Sequence, residues 1–145
     1  MSPDNLVAKA EINTNATADK VWGALTNAEM LKKFMFGSTV ISDWKEGSKI
    51  IWKGEWQGKP YEDKGEVLKA IPDKQLQYTH FSPMMGLPDV PENYHTVTID
   101  LTGNGEQTNV ALSQDKNATE EARDHSQKNW AMMLEGLKKL LEEKK

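Results

Sequence analysis

Few side chains in this sequence can do chemistry. Three histidines, His80, His95 and His125, have the ordinary titration range closest to neutral. No two of them stand at His-x-His or His-x3-His spacing, so no metal site is expected. The chain has no cysteine, which excludes disulfides, thiolate metal sites and cysteine nucleophiles, and no cofactor motif is present. A cavity histidine acts as a general acid or base once a carboxylate orients it. His80 or His95 with Glu62, Glu66 or Asp89 is the pairing on offer. No nucleophile stands at catalytic spacing, so binding is expected over catalysis and no catalytic residue is assigned.

The large apolar side chains form the second group. Trp52 and Trp56 share strand parity with Ile50, Tyr78 and His80 with Leu76, and Val97 and Ile99 with His95. Trp130, Met133 and Leu134 lie on one stripe of a C-terminal helix. Read functionally, these side chains line one interior and stack on a ring-bearing or lipid-like molecule. Read structurally, they are core, each worth roughly 2–3 kcal/mol when buried. Met84 and Met85 sit in a proline-rich loop, as a lid over that interior or a plug at its mouth. The expected ligand-binding set is therefore Trp52, Trp56, Tyr78, His80, Met84, Met85, His95, Val97, Ile99, Trp130, Met133 and Leu134. Gly54, Gly58 and Gly65 fall in strands and turns, not before a helix N-terminus, and are no nucleotide signature.

The elements that must position these residues follow from periodicity. Leu6 to Thr14 alternates as a half-buried strand. Val21, Trp22 and Leu25 then fall at helical spacing, and Thr26 with Glu29 predicts a capping box opening a second short helix carrying Met30, Leu31 and Phe34. Val40, Ser42 and Trp44 alternate, as do Ile50 to Gln57, with turns at Glu46-Gly47 and Gly58. The stretch from Tyr61 to Ile71 predicts a bulge at Gly65. Strands follow at Leu76–His80, His95–Leu101 and Val110–Leu112, with a turn at Pro72-Asp73-Lys74 and a hairpin signal at Gly103-Asn104-Gly105. Ser82 to Asn93 holds three of the six prolines and no periodicity, so it is a loop. Asn117 and Glu120 predict the start of a helix running to about Glu143. The expectation is an α+β domain over residues 1–145: a curved antiparallel sheet of about seven strands, two short helices after the first strand, and a long C-terminal helix across the sheet.

At 145 residues the chain suits one core, and its net charge of -4, with lysines interleaved among acids, speaks against a nucleic-acid partner. The first residues read as no signal peptide and no apolar run approaches a bilayer span, so a cytoplasmic protein without membrane contact is expected.

Val21-Trp22-Gly23-Ala24-Leu25-Thr26 with Leu31 and Phe34 resembles the opening helix pair of the START-like helix-grip superfamily, which includes the birch pollen allergen and polyketide cyclases. Gly65-Glu66-Val67-Leu68, Leu76-Gln77-Tyr78-Thr79, the Ser82-Pro83 to His95 loop and His125-Ser126-Gln127-Lys128-Asn129-Trp130 resemble, within it, the branch of activator of heat-shock protein 90 ATPase homologues. That resemblance implies a helix-grip fold with a hydrophobic cavity. The founding eukaryotic activator works through a separate N-terminal domain, for which this chain is expected to have no room. Three functions follow as expectations: binding a small apolar molecule (lipid, flavonoid or polyketide-like), cyclase- or hydrolase-like chemistry on a cavity histidine, and a chaperone contact around Met84-Met85-Gly86-Leu87.

Overall fold

The first strand, β1 (Ala8–Thr14), leads into two short helices, α1 (Ala18–Leu25) and α2 (Ala28–Phe34). Six strands follow: β2 (Thr39–Ser42), β3 (Lys49–Trp56), β4 (Lys59–Ile71), β5 (Gln75–His80), β6 (His95–Asn104) and β7 (Gln107–Gln114). The long helix α3 (Glu120–Glu142) closes the chain. This computed structural model describes residues 6–34, 39–56, 58–81, 88–90, 93–117 and 119–142, with 28, 34, 56 and 104 as backbone only. The seven strands form one curved antiparallel sheet in the order β1-β7-β6-β5-β4-β3-β2, and the architecture is the expected α+β helix-grip.

Helix α3 lies over the concave face because its apolar stripe has no other place to go. Met133, Leu134 and Leu137 are buried there against Val97, Ile99, Val110 and Leu112 of the sheet and Val21, Ala24 and Leu25 of α1. The helix also serves β1, whose outer edge would otherwise present unpaired backbone groups. The Lys9 amide donates to Gln127 Oε1 at 3.1 Å, and the Asn15 amide donates to Glu142 Oε2 at 2.7 Å. Lys138 Nζ donates to the Asn13 carbonyl at 2.8 Å. The lengths match: residues 127 to 142 of a helix rise about 22 Å, and residues 9 to 15 of a strand about 20 Å. Helix and strand therefore run side by side, and polar side chains stand in for a missing neighbouring strand.

Both predicted helix starts are displaced. The Thr26 hydroxyl donates back to the Trp22 carbonyl at 2.9 Å and ends α1; Asn27 opens α2, its Oδ1 accepting the Met30 amide at 3.0 Å. Thr119 opens α3 through the Ala122 amide at 3.0 Å. Asn117 is freed for another task. Buried, it donates to the Leu6 and Gln114 carbonyls at 2.9 and 3.0 Å and accepts from Ser126 Oγ at 3.1 Å. It ties the ends of β1 and β7 to the first turns of α3. In each case a neighbouring polar residue competes for the same orphan amides, and the direction of the incoming chain decides between them.

Two strand details also differ. Strand β2 stops at Ser42, and Trp44 lies beyond it with φ +57, outside the predicted alternation. The β4 irregularity falls between Val67 and Lys69. Gly65 serves a different need: a Cβ there would stand 1.7 Å from the Thr79 carbonyl oxygen, so two backbones approach where only hydrogen fits.

Gly65→Ala is expected to lose more than about 3 kcal/mol of stability in urea unfolding, because backbone cannot yield as a side chain does; a loss under about 1 kcal/mol would refute that reading of the crossing. The Glu142 carboxyl is held below the usual carboxylate range, first by the Asn15 amide and then by Lys138. A lowered folded-state value stabilises the fold above the ordinary carboxylate range, and that contribution disappears as pH falls through it. Thermal melts from about pH 6 down to about pH 3 should fall less steeply for Glu142→Gln than for the native chain, and parallel curves would count against the link.

Candidate functional site

The space under α3 is divided. Toward α1 and α2 it is almost full: Leu25, Leu31, Trp44, Trp52, Leu76, Tyr78, Ile99 and Met133 leave only ≈ 10 Å³, about one water's room. Toward the first half of α3 the sheet draws away and leaves a cavity of ≈ 320 Å³. Its walls are Trp52 of β3, Tyr61 and Asp63 of β4, Tyr78 and His80 of β5, Gln114 of β7, and Ser126, Asn129, Trp130 and Met133 of α3. Trp52, Tyr78 and Met133 border both spaces and act as the partition between them.

The partition is closely packed. Trp52 and Tyr78 are each 5 % exposed, with ring centroids 5.5 Å apart in a tilted contact. Burial pushes the Tyr78 hydroxyl's titration above its ordinary range, so it stays protonated at any physiological pH. On the helix side the Trp130 indole N–H donates to Gln114 Oε1, which fixes both side chains at the cavity wall.

The polar end of the cavity is a histidine–carboxylate pair. His80 Nε2 lies 3.0 Å from Asp63 Oδ2, and the His80 ring meets Trp52 edge-on at 4.9 Å between centroids. An ionised carboxylate only accepts, so Nε2 carries the proton and Nδ1 is left as the basic nitrogen. The other carboxylate oxygen, Asp63 Oδ1, is closed off from solvent and has no donor among the described residues. An unpaired buried acceptor costs about 1–3 kcal/mol, more when charged, so this pair is poised rather than satisfied.

Register explains the meeting. The Lys64–Phe81 bridge sets Gly65 across from His80 and Asp63 on the diagonal, where a long side chain still reaches. Parity along β4 places Tyr61 and Asp63 inward; Glu62, Lys64 and Glu66 face the other way. The expected partners Glu62 and Glu66 are therefore on the wrong face, and Asp89 is engaged elsewhere. It bridges Lys64 and accepts from the Tyr94 hydroxyl, on an outer groove of ≈ 590 Å³ across β3 and β4. Lys64 pulls the Asp89 carboxyl below its usual range, and Asp89 in turn raises both Lys64 and Tyr94. Alternation from Tyr61 to Val67 was the signal that could have named Asp63.

The remaining expected residues divide by place. Trp52, Tyr78, His80, Trp130 and Met133 come together on the cavity wall. Val97, Ile99 and Leu134 are buried in the core cluster instead of lining the cavity. His95 stacks beside His80 at 6.4 Å and donates through Nδ1 to the Asp115 carbonyl at 2.8 Å, behind the wall. His125 is exposed on α3. Met84 and Met85 lie outside the described residues, and Trp56 is described only as backbone, paired with Lys59. Among the described residues no group of three His, Asp or Glu side chains is placed to hold a metal ion. No described helix is long and apolar enough to cross a membrane.

With this geometry in view, known proteins place the chain. No curated protein matches it. Among solved structures, a Cytophaga hutchinsonii protein determined in solution is 57% identical, with TM-score 0.83 over 94% of this chain and 93% of that one. The Aha1 dimer of Colwellia psychrerythraea is 25% identical, with TM-score 0.72 over 94% and 96%. CalU16 of Micromonospora echinospora, 17% identical with TM-score 0.69 over 99% and 88%, shares the fold. Residues 15–142 match the family described as "Activator of Hsp90 ATPase homolog 1-like protein", and over nearly its whole length the chain belongs to that family.

Proposed function

We propose that the protein binds a small hydrophobic, ring-bearing molecule in the cavity between the sheet and the first half of α3. The observation that carries this reading is the composition of one wall. Trp52, Tyr78, Trp130 and Met133 give apolar surface, and a few polar groups converge on it, the His80–Asp63 pair together with Tyr61, Gln114, Ser126 and Asn129. Sites for small organic molecules are mostly apolar with a few converging polar groups, and ≈ 320 Å³ is at the small end of their usual size. The ligand is thus one or two fused rings or a short chain, not a full-length acyl lipid. Of the expected ligand classes, compact flavonoid- or polyketide-like rings fit this space better than lipid.

The same pair favours a second reading, acid–base catalysis. Asp63 orients His80 and leaves Nδ1 to take a proton from a bound carbon or oxygen acid, the role a histidine plays when a carboxylate fixes its tautomer. A nucleophile is not needed for such a step. A chaperone contact would rest on Met84 and Met85, outside the described residues, and gains no support from the site.

Native mass spectrometry and tryptophan-fluorescence titration against a panel of ring compounds and short-chain lipids test the first reading. Binding of compact ring compounds, weakened about tenfold or more by Trp130→Ala, is expected, since an aromatic wall of this size contributes on the order of 1–3 kcal/mol. No binding across the panel removes it. For the second, solvent deuterium incorporated into a bound ketone, and lost in His80→Gln, would separate catalysis from binding.

A further inference from the structure

We infer that the ligand of this cavity carries a protonated amine, held by Asp63 within the aromatic walls. The inference rests on the binding reading above and names the charge the ligand must bring. Among the described residues Asp63 is the one carboxylate on the cavity wall, and that wall includes no lysine or arginine. Lys64, its neighbour in sequence, points to the other face and is engaged by Asp89. The site therefore presents a carboxylate whose only described partner is His80.

Two features of the wall fit a cation. Asp63 lines the cavity with its side chain 15% exposed, and its Oδ1, closed off from solvent as the side chain stands, has no donor among the described residues. Rotation about Cβ–Cγ is a soft, broad torsion that brings this oxygen to a donor in the cavity. Four aromatic side chains, Trp52, Tyr61, Tyr78 and Trp130, surround the same space, and aromatic rings attract organic ammonium groups through their negative faces. An anionic ligand, a carboxylate or phosphate, meets none of this. It would face Asp63 with no lysine or arginine on the described wall to offset it, and like charges at close range are unfavourable in a site screened from water. A neutral alcohol supplies the missing hydrogen bond without the charge, so it binds, but less tightly.

Isothermal titration calorimetry with three probes on one ring system isolates the charge: naphthylmethylamine, naphthylmethanol and naphthoate, at a pH where the amine is protonated. The amine is expected to bind about tenfold or more tighter than the alcohol, the margin between charge-assisted and neutral hydrogen bonds, and naphthoate weakest. Asp63→Asn should bring amine and alcohol to similar affinity while leaving the alcohol nearly unchanged. The order among probes on the native chain needs no variant, so it stands even if Asp63→Asn fails to fold. Equal binding of all three, or tighter binding of naphthoate, overturns the amine inference and leaves the cavity reading intact. Absence of binding by any probe overturns both.

Discussion

The contact on which the rest depends is that of α3 with the sheet and with the open edge of β1. Met133, Leu134 and Leu137 provide the apolar part, and Gln127, Lys138 and Glu142 provide hydrogen bonds to strand backbone. Neither part would suffice alone. A curved antiparallel sheet has one apolar face that must be covered, and an edge strand must have its amides paired. A single long helix meets both demands because its rise over fifteen residues matches that of a short strand beside it. Asn117, buried with its polar atoms bonded, sets where that helix begins.

Once α3 is fixed along β1, the width of the sheet decides what lies beneath it. The two short helices close the far end and side chains fill it. The first half of α3 faces residues of β3 to β5 across the cavity, and Trp52, Tyr78 and Met133 border both spaces. A close-packed core next to an open one is thus a result of a straight helix on a curved surface, since packing at interior density requires complementary shapes. Beside the cavity, Asp63 Oδ1 is the one buried side-chain acceptor without a donor among the described residues, which is where the structure departs from the general rule that interiors satisfy their polar groups.

Membership of the Hsp90-activator homologue family is consistent with this scaffold and does not by itself define a task. Function is carried by the site. In this chain the candidate site combines aromatic rings with a histidine–carboxylate pair and the polar side chains of Gln114, Ser126 and Asn129, the arrangement from which we propose binding of a compact ring-bearing molecule.

Much of the fold was legible in the sequence because local periodicity reports burial directly. Alternation in Leu6–Thr14, Leu76–His80 and His95–Leu101 gave strands, and the Trp130–Leu141 stripe gave the helix over them. Five of the ten residues on the cavity wall were legible for the same reason: Trp52, Tyr78 and His80 by strand parity, Trp130 and Met133 by the helical stripe. Details that hang on a single residue were not. Thr26 and Asn117 carry the right chemistry for a cap, and Asn27 and Thr119 took the places, because chain direction chooses among near-equal donors and acceptors. The pairing of His80 with Asp63 was beyond reach as well: it joins residues seventeen apart through the register of β4 on β5, and Gly65 permits that approach only where Thr79 crosses it. Composition and periodicity determine which face a side chain takes. Which side chain it meets there, and whether the space between them is filled, is decided only when the strands and the helix are packed in three dimensions.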